Sequence, residues 1–248
     1  MKRLHNSLAL VAGAVLMTGA LACSEGSSSS TEGTGGASDG SGGSSDQGGG
    51  DQGGSGPTGS GGSTAGDLTE VMSFTFDADL EGFEVGWAES GGSQDTALQD
   101  ATTLTWDSAN GNPDPGAMSS TSPFAGPENK AQLQITVSST DLTDGTVTAW
   151  IRLESGLSTD EANPGGAKLF VKSGSGYVWA SGPWANLVEG EWTQLTLNTA
   201  LPDYEDAGFD PSQIVQLGVE FETGGAAGDF WTSATVTVDT IVASVPAA

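Results

Sequence analysis

Val147-Thr148-Ala149-Trp150-Ile151-Arg152-Leu153 decides how this chain folds. Apolar residues hold every second position, and Thr148, Trp150 and Arg152 fill the positions between. Successive side chains of a strand point to opposite faces, so the stretch reads as a β-strand with one face turned to a core. The same pattern extends upstream and downstream. Met72, Phe74 and Phe76 alternate with Val71, Ser73 and Thr75, and Leu133, Ile135 and Val137 alternate with Gln132, Gln134 and Thr136. Leu169 and Val171 follow, then Leu195 and Leu197 between Trp192, Gln194 and Thr196, then Leu217, Val219 and Phe221. Val236 and Val238 close the series, with the alternation shifting near Asp239 toward Ile241 and Val242. Gly, Pro, Asn and Asp clusters separate these runs, as strand boundaries require. No segment carries a 3.6-residue stripe, although Asp203 to Gln213 admits one short helical turn. Many short strands without helices predict an all-β domain, a two-sheet β-sandwich or jelly roll, over residues 67–248.

The composition changes abruptly before Asp67. Ser24 to Gly66 contains 17 Gly and 12 Ser and almost no apolar residue. Such a stretch cannot bury enough surface to offset its ordering entropy, so a disordered linker is expected. Its root-mean-square span as a coil is roughly 35–40 Å. Ahead of it stand Met1-Lys2-Arg3 and an apolar run from Leu8 to Ala22, ending Ala20-Leu21-Ala22-Cys23. Charge, a short apolar segment and small residues before the cut make a secretory signal. The run is too short to span a bilayer, which takes about 20 residues. This order resembles the leader of bacterial lipoproteins, whose lipobox ends in a small residue and the cysteine that becomes lipidated. The resemblance implies a signal peptide over 1–22, a lipidated Cys23 as mature N-terminus and a linker to residue 66. Ala20 stands where such leaders most often have Leu. It also implies a membrane partner through the anchor, in the bacterial envelope. Ser24 favours the outer membrane or cell surface, because inner-membrane retention in enterobacterial lipoproteins is marked by Asp there.

Charge narrows the partners. The chain has 32 acidic and 6 basic residues, a net charge of −26. Lys2 and Arg3 belong to the leader, which leaves four basic side chains beyond it. Nucleic acid and anionic lipid surfaces need basic patches, so neither is an expected partner. Chemistry is bounded in the same way. His5 is the only histidine and lies in the leader, and Cys23 is the only cysteine. Histidine-based nucleophile systems and histidine-ligated zinc are therefore excluded from residues 24–248, and no disulfide can form within the chain. Carboxylate pairs remain. Glu220 and Glu222 share a strand face opposite Val219 and Phe221, at a spacing compatible with a retaining glycosidase.

All seven tryptophans and both tyrosines lie beyond Asp67. Trp150 falls on the face opposite Val147, Ala149, Ile151 and Leu153, beside Arg152. An outward indole next to a fork-shaped donor suits a sugar, whose C–H face stacks on rings while its hydroxyls take planar hydrogen bonds. Tyr177, Trp179 and Trp184 form a second concentration, Tyr177 and Trp179 being expected on one face. Trp192, at a strand start after Gly190-Glu191, is expected to be a packed structural residue.

Gly166-Ala167-Lys168-Leu169-Phe170-Val171-Lys172, Tyr177-Val178-Trp179-Ala180-Ser181-Gly182 and Gly190-Glu191-Trp192-Thr193-Gln194-Leu195 resemble the central part of bacterial jelly-roll carbohydrate-binding modules. So do Phe209 to Phe221 and the two ends, Phe74-Thr75-Phe76-Asp77 and Val236-Thr237-Val238-Asp239. The resemblance implies a non-catalytic domain, acting as a monomer, that binds polysaccharide. Such modules usually ride on polysaccharide-degrading enzymes, whereas no enzyme domain is expected here. It also implies a structural calcium held by Asp77 and Asp239, with backbone carbonyls and Asp79 or Glu81 completing six to eight oxygens. The expected ligand face is an aromatic groove lined by Trp150, Arg152, Tyr177, Trp179 and Trp184. The expected glycan is neutral, because the chain has few cations to offer an anionic one. A glycoside hydrolase or polysaccharide lyase, and a structural or adhesion lipoprotein with a protein partner, remain alternatives.

Overall fold

A computed structural model describes residues 67–158, 162–225 and 233–247, which lie in one compact unit, Ser60–Ala248. In chain order the strands begin with β1 (Leu68–Phe74), β2 (Glu84–Ser90), β3 (Ser93–Gln94), β4 (Thr103–Asp107) and β5 (Ala117–Ser122). Next come β6 (Lys130–Thr140), β7 (Thr146–Ser155), β8 (Gly166–Ser173), β9 (Val178–Ser181) and β10 (Ala185–Asn186). The last four are β11 (Trp192–Asn198), β12 (Tyr204–Glu205), β13 (Ile214–Glu222) and β14 (Ala234–Pro246). A short helix α1 (Thr96–Ala101) and a 3-10 turn at Pro211–Gln213 interrupt them.

The strands form two antiparallel sheets. The first runs β11-β7-β14-β5-β4, with β1 paired to β14, and the second runs β12-β9-β8-β13-β6-β2-β3, with β10 paired to β8. This is the two-sheet sandwich the alternation predicts. Val147, Ala149 and Ile151 of β7 are fully buried, as are Leu169 and Val171 of β8 and Leu217, Val219 and Phe221 of β13. These inward rows form one continuous core. Burying each Val, Leu, Ile or Phe of these rows contributes about 1.5–3 kcal/mol, the main favourable term set against the ordering entropy of the chain.

Two details position the functional regions. In β14 the register slips between Asp239 and Val242, where Trp150 and Thr148 are the facing residues. One extra residue is accommodated there, with Thr240 at φ 47°, so Val236 and Val238 point inward before the bulge and Ile241 and Ala243 after it. The sequence marks that shift, although the inward partner of Ile241 is Ala243 rather than Val242. The expected helical turn is the one at Pro211–Gln213, where Asp210 accepts a hydrogen bond from the Ser212 N–H. Helix α1 is an addition to the sequence reading. Its Asp95 cap accepts from the Leu98 N–H at 2.9 Å, and Leu98 is its one buried residue.

Candidate functional site

The outward residues of the second sheet build a groove of about 490 Å³. Its floor is a register row crossing four strands: Trp87 of β2 faces Gln132 of β6, Gln132 faces Glu220 of β13, and Glu220 faces Lys168 of β8. Each follows from alternation, since Ala88, Leu133, Val219 and Leu169 take the inward positions beside them. Further along β8 the groove takes in Lys172, and beyond it reaches Trp179 of β9, which faces Lys172, and Tyr204 of β12. Strands lie about 4.8 Å apart, so β2 and β9 stand roughly 19 Å apart across β6, β13 and β8, with Trp179 displaced along the strands from the row.

Trp179 is set in place by what lies under it. Phe170 points outward from β8 and stacks on the indole at 4.4 Å, with 16° between the rings. Its ring has room because Gly218 stands opposite on β13. A Cβ on Gly218 would come within 2.8 Å of the Phe170 ring and 2.1 Å of the Leu133 carbonyl.

Polar groups between the aromatics are interlocked. Lys168 Nζ pairs with Glu220 Oε1 at 3.2 Å, and Gln132 Nε2 donates to Glu220 Oε2 at 2.7 Å. Lys130 pairs with Glu222 at 3.5 Å. Among the described residues Lys172 makes no ion pair. Its ammonium donates to the side-chain carbonyls of Gln134 at 3.2 Å and Gln132 at 3.4 Å, and lies 5.0 Å from the Phe170 ring centre. Burial pulls the Lys172 amine below the usual lysine range, against the attraction of Glu220. Tyr204 donates its hydroxyl to Asp206 at 2.9 Å. Every lysine after Lys2 lines this one groove, beside Glu89, Asp206 and Glu220, so its charges balance locally within an acidic protein. Rings at both ends with amides and balanced ions between them can stack sugar faces and exchange hydrogen bonds with hydroxyls.

Glu220 and Glu222 share the outward face as expected. However, Glu220 lines this groove and Glu222 a smaller neighbouring cavity, and each is tied to its own lysine. They do not face one another across a single site.

The five residues expected to share one groove are divided between the sheets. Trp150 and Arg152 stand on the outer face of the first sheet, as alternation requires, whereas Trp179 is on the second. Arg152 spends its donors on Glu154 at 2.7 Å and on the Asn110 side chain at 3.2 Å, and lies over Trp192 at 5.0 Å. It thereby pins the Asn110 loop to the sheet. Trp192 is partly exposed beside it rather than packed in the core. Tyr177 does not continue the β9 alternation, because it adopts φ 52° in the preceding turn and is half exposed. Trp184 packs over Gly166 on the second sheet and lines the smaller cavity. Trp231 and Cys23 lie outside the described residues.

Trp87, Tyr204, Gln132, Lys168 and Lys172 are among the groove residues that the sequence reading missed. The signal for the lysines was present: they alternate with Leu169 and Val171 as Trp150 does with its neighbours.

Asp77 and Asp239 meet at the β14 bulge. Asp239 is fully buried, and its carboxylate accepts the N–H groups of Asn112 at 2.5 Å and Thr240 at 2.6 Å. Burial raises its pKa, the two N–H bonds lower it, and the nearby negative charge of Asp77 raises it further. A buried carboxylate repelled by a second one, with hard oxygen donors, fits a calcium in kind. Among the described residues no three His, Cys, Asp or Glu side chains converge, so backbone carbonyls would supply most of the shell. Glu81 is spent on the N–H groups of Thr75 and Phe76, and Asp79 accepts from the Glu81 N–H.

A sandwich with an aromatic and amide groove across one sheet is the architecture of a ligand-binding β-domain. Residues 76–240 match the family described as "Mannanase, galactose-binding domain-like", and the chain belongs to that family. Solved structures with a similar fold include a carbohydrate-binding module from the β-sandwich superfamily, at 17% identity and a TM-score of 0.45, covering 66% of this chain and 57% of that one. A family 11 carbohydrate-binding module of a Clostridium thermocellum cellulosomal cellulase is 11% identical with a TM-score of 0.44, covering 72% of this chain and 97% of its own. A xylan-binding domain from Paenibacillus barcinonensis is 14% identical with a TM-score of 0.41, covering 74% and 98%. Comparison with curated proteins gives no match.

Proposed function

We propose that this protein binds a neutral β-linked polysaccharide, non-catalytically, along the groove of the second sheet. The observation that carries this reading is the row Trp87–Gln132–Glu220–Lys168, closed at its far end by Trp179 and Tyr204. Its length suits several sugar rings laid across the strands, and its balanced charges offer no net attraction to an anionic polymer. The family's description as mannanase-associated makes a mannan the first ligand to test. Arg152 is assigned to holding the Asn110 loop rather than to the ligand, and Trp150 stands on the same first sheet, away from the groove. A structural calcium between Asp77 and Asp239 would hold the first and last parts of the sandwich together. Cys23 would carry the lipid anchor, with residues 24–66 as the spacer that presents the domain at the outer membrane or cell surface.

Affinity electrophoresis of the full chain through gels containing linear mannan, glucomannan or mixed-linkage glucan tests the reading. Retardation by at least one of them, unchanged by added salt, is expected. Trp179→Ala should weaken it about 5- to 150-fold, the effect of losing one stacking partner worth roughly 1–3 kcal/mol. Free migration of the wild type in every neutral gel would overturn the function. Full retardation of a folded Trp179→Ala would overturn the groove.

A further inference from the structure

We infer that the groove accepts a branched glycan, the main chain lying along the Trp87–Lys168 row and a short side branch entering the cavity under Trp184. This rests on the polysaccharide reading above. A second register row runs beside the first: Glu89 faces Lys130, Lys130 faces Glu222, Glu222 faces Gly166, and Gly166 faces Asn186 of β10. The two rows are one i, i+2 step apart, roughly 6.8 Å along the strands. At the β13–β8–β10 end of this second row lies a cavity of about 400 Å³, lined by Trp184, Asn186, Glu222 and the Gly224–Gly225 backbone.

The placement of this cavity decides what it can hold. It lies beside the main groove, displaced along the strands at Lys168 and Glu220, whereas the groove runs across them. A linear chain following the first row passes its mouth, and a substituent leaving that chain sideways at Glu220 enters it. The Lys130–Glu222 ion pair spans the two compartments, because Lys130 lines the groove and Glu222 the cavity. It forms a polar sill that a branching sugar crosses.

Inside, the chemistry is that of a sugar subsite. Trp184 is 38% exposed and is backed by the Gly166 backbone, where any Cβ would strike the indole at 2.8 Å. Gly166 therefore lets the ring lie flat on the sheet. Glu222, its pKa raised by burial against the pull of Lys130, and the exposed Asn186 offer the acceptor and donor groups that hydroxyls need. At this volume one or two sugar rings fit, not a second polymer chain.

Calorimetric titration of the full chain with two probes of equal main-chain length separates the cases: a linear manno-oligosaccharide and the same chain carrying single galactosyl branches. Xylosyl-branched and linear gluco-oligosaccharides form a second pair. The wild type should prefer a branched probe by at least about 5-fold, the value of one added stacking contact. Trp184→Ala should abolish that preference while leaving linear binding within about 2-fold. Asn186→Ala, at an exposed position of β10, should reduce the preference in the same direction. Equal affinity for linear and branched probes, or a preference that survives both folded variants, would overturn the branch site while leaving the groove intact. Binding of no probe would overturn the groove reading and the branch site together.

Discussion

Trp150 and Trp179 show how one sequence signal leads to two fates. Both point away from the core, but Trp150 neighbours an arginine already bound to Glu154 and Asn110, whereas Trp179 rests on Phe170 beside Lys172, whose ammonium is held by glutamine carbonyls. Outwardness was legible from alternation. Which of two outer faces carries the groove was not, because that depends on what stands on the neighbouring strands. Lys172 is the sharper case. Its half-buried ammonium is pushed toward the neutral form, so the native state binds fewer protons there than the unfolded chain. Between its lowered pKa and the ordinary value near 10.4, the stability of the wild type relative to Lys172→Met should rise with pH. Paired denaturant titrations from pH 7 to 10 measure this, and a flat or falling difference would remove the desolvated lysine from the account. Lys172→Met should also weaken glycan binding, since Met supplies the stem but none of the donors. Ser120 makes a prediction of the opposite kind. It faces the core from β5, fully buried, and its hydroxyl has no hydrogen-bond partner among the described residues. Ser120→Ala should therefore stabilise by about 1 kcal/mol, raising Tm by roughly 2–4 °C in a calorimetric scan. A lower Tm would show that the hydroxyl is satisfied after all.

Among the elements, long strands buried on one face announced themselves and short ones did not. β6, β7, β8, β11, β13 and β14 each carry enough alternating residues to define a face. β3, β10 and β12 have two residues each, below any period, and α1 has six with a single buried side chain. These short pieces nonetheless shape the site, since β12 brings Tyr204 to one end of the groove and β10 closes the Trp184 cavity. Asp239 was legible because it sits where the β14 alternation breaks. Thr240 at φ 47° and the Asn112 loop over Asp239 are tertiary consequences of that bulge, and no local pattern foretells them. The bulge is also where a calcium would matter most. Asp239 follows the β14 segment paired with β5 and β7, and Asp77 lies shortly after β1. A bound ion would therefore cross-link chain segments about 160 residues apart. In calcium-containing buffer a chelator should lower the Tm of the wild type. At 100 times the dissociation constant the ion would contribute about 2.7 kcal/mol. Asp239→Ala should melt at one temperature with or without chelator. A wild type indifferent to both calcium and chelator would sink the metal site.

At the scale of the whole molecule, composition divides the work. The net charge of −26 disfavours nucleic acid and acidic membrane surfaces as partners, while all the lysines after Lys2 gather in one groove. An acidic domain of this kind has no electrostatic means of staying at an anionic bilayer, and among the described residues no helix is long and apolar enough to cross one. The fifteen-residue run from Leu8 to Ala22, apolar except for Gly13, Thr18 and Gly19, is also too short to span comfortably. Membrane retention, on this reading, falls to acyl chains on Cys23. One chain binds weakly and reversibly, whereas two or more anchor stably, so loss of the acylated residue should be all-or-none in its effect. Cys23→Ser should move the protein from the detergent-extracted membrane fraction to a soluble exported or uncleaved form, and should abolish incorporation of labelled palmitate. Its melting temperature and its retardation in mannan gels should be those of the wild type, because residue 23 lies far outside the sandwich in sequence. A membrane fraction unchanged by the substitution would refute the anchor while leaving the glycan groove untouched.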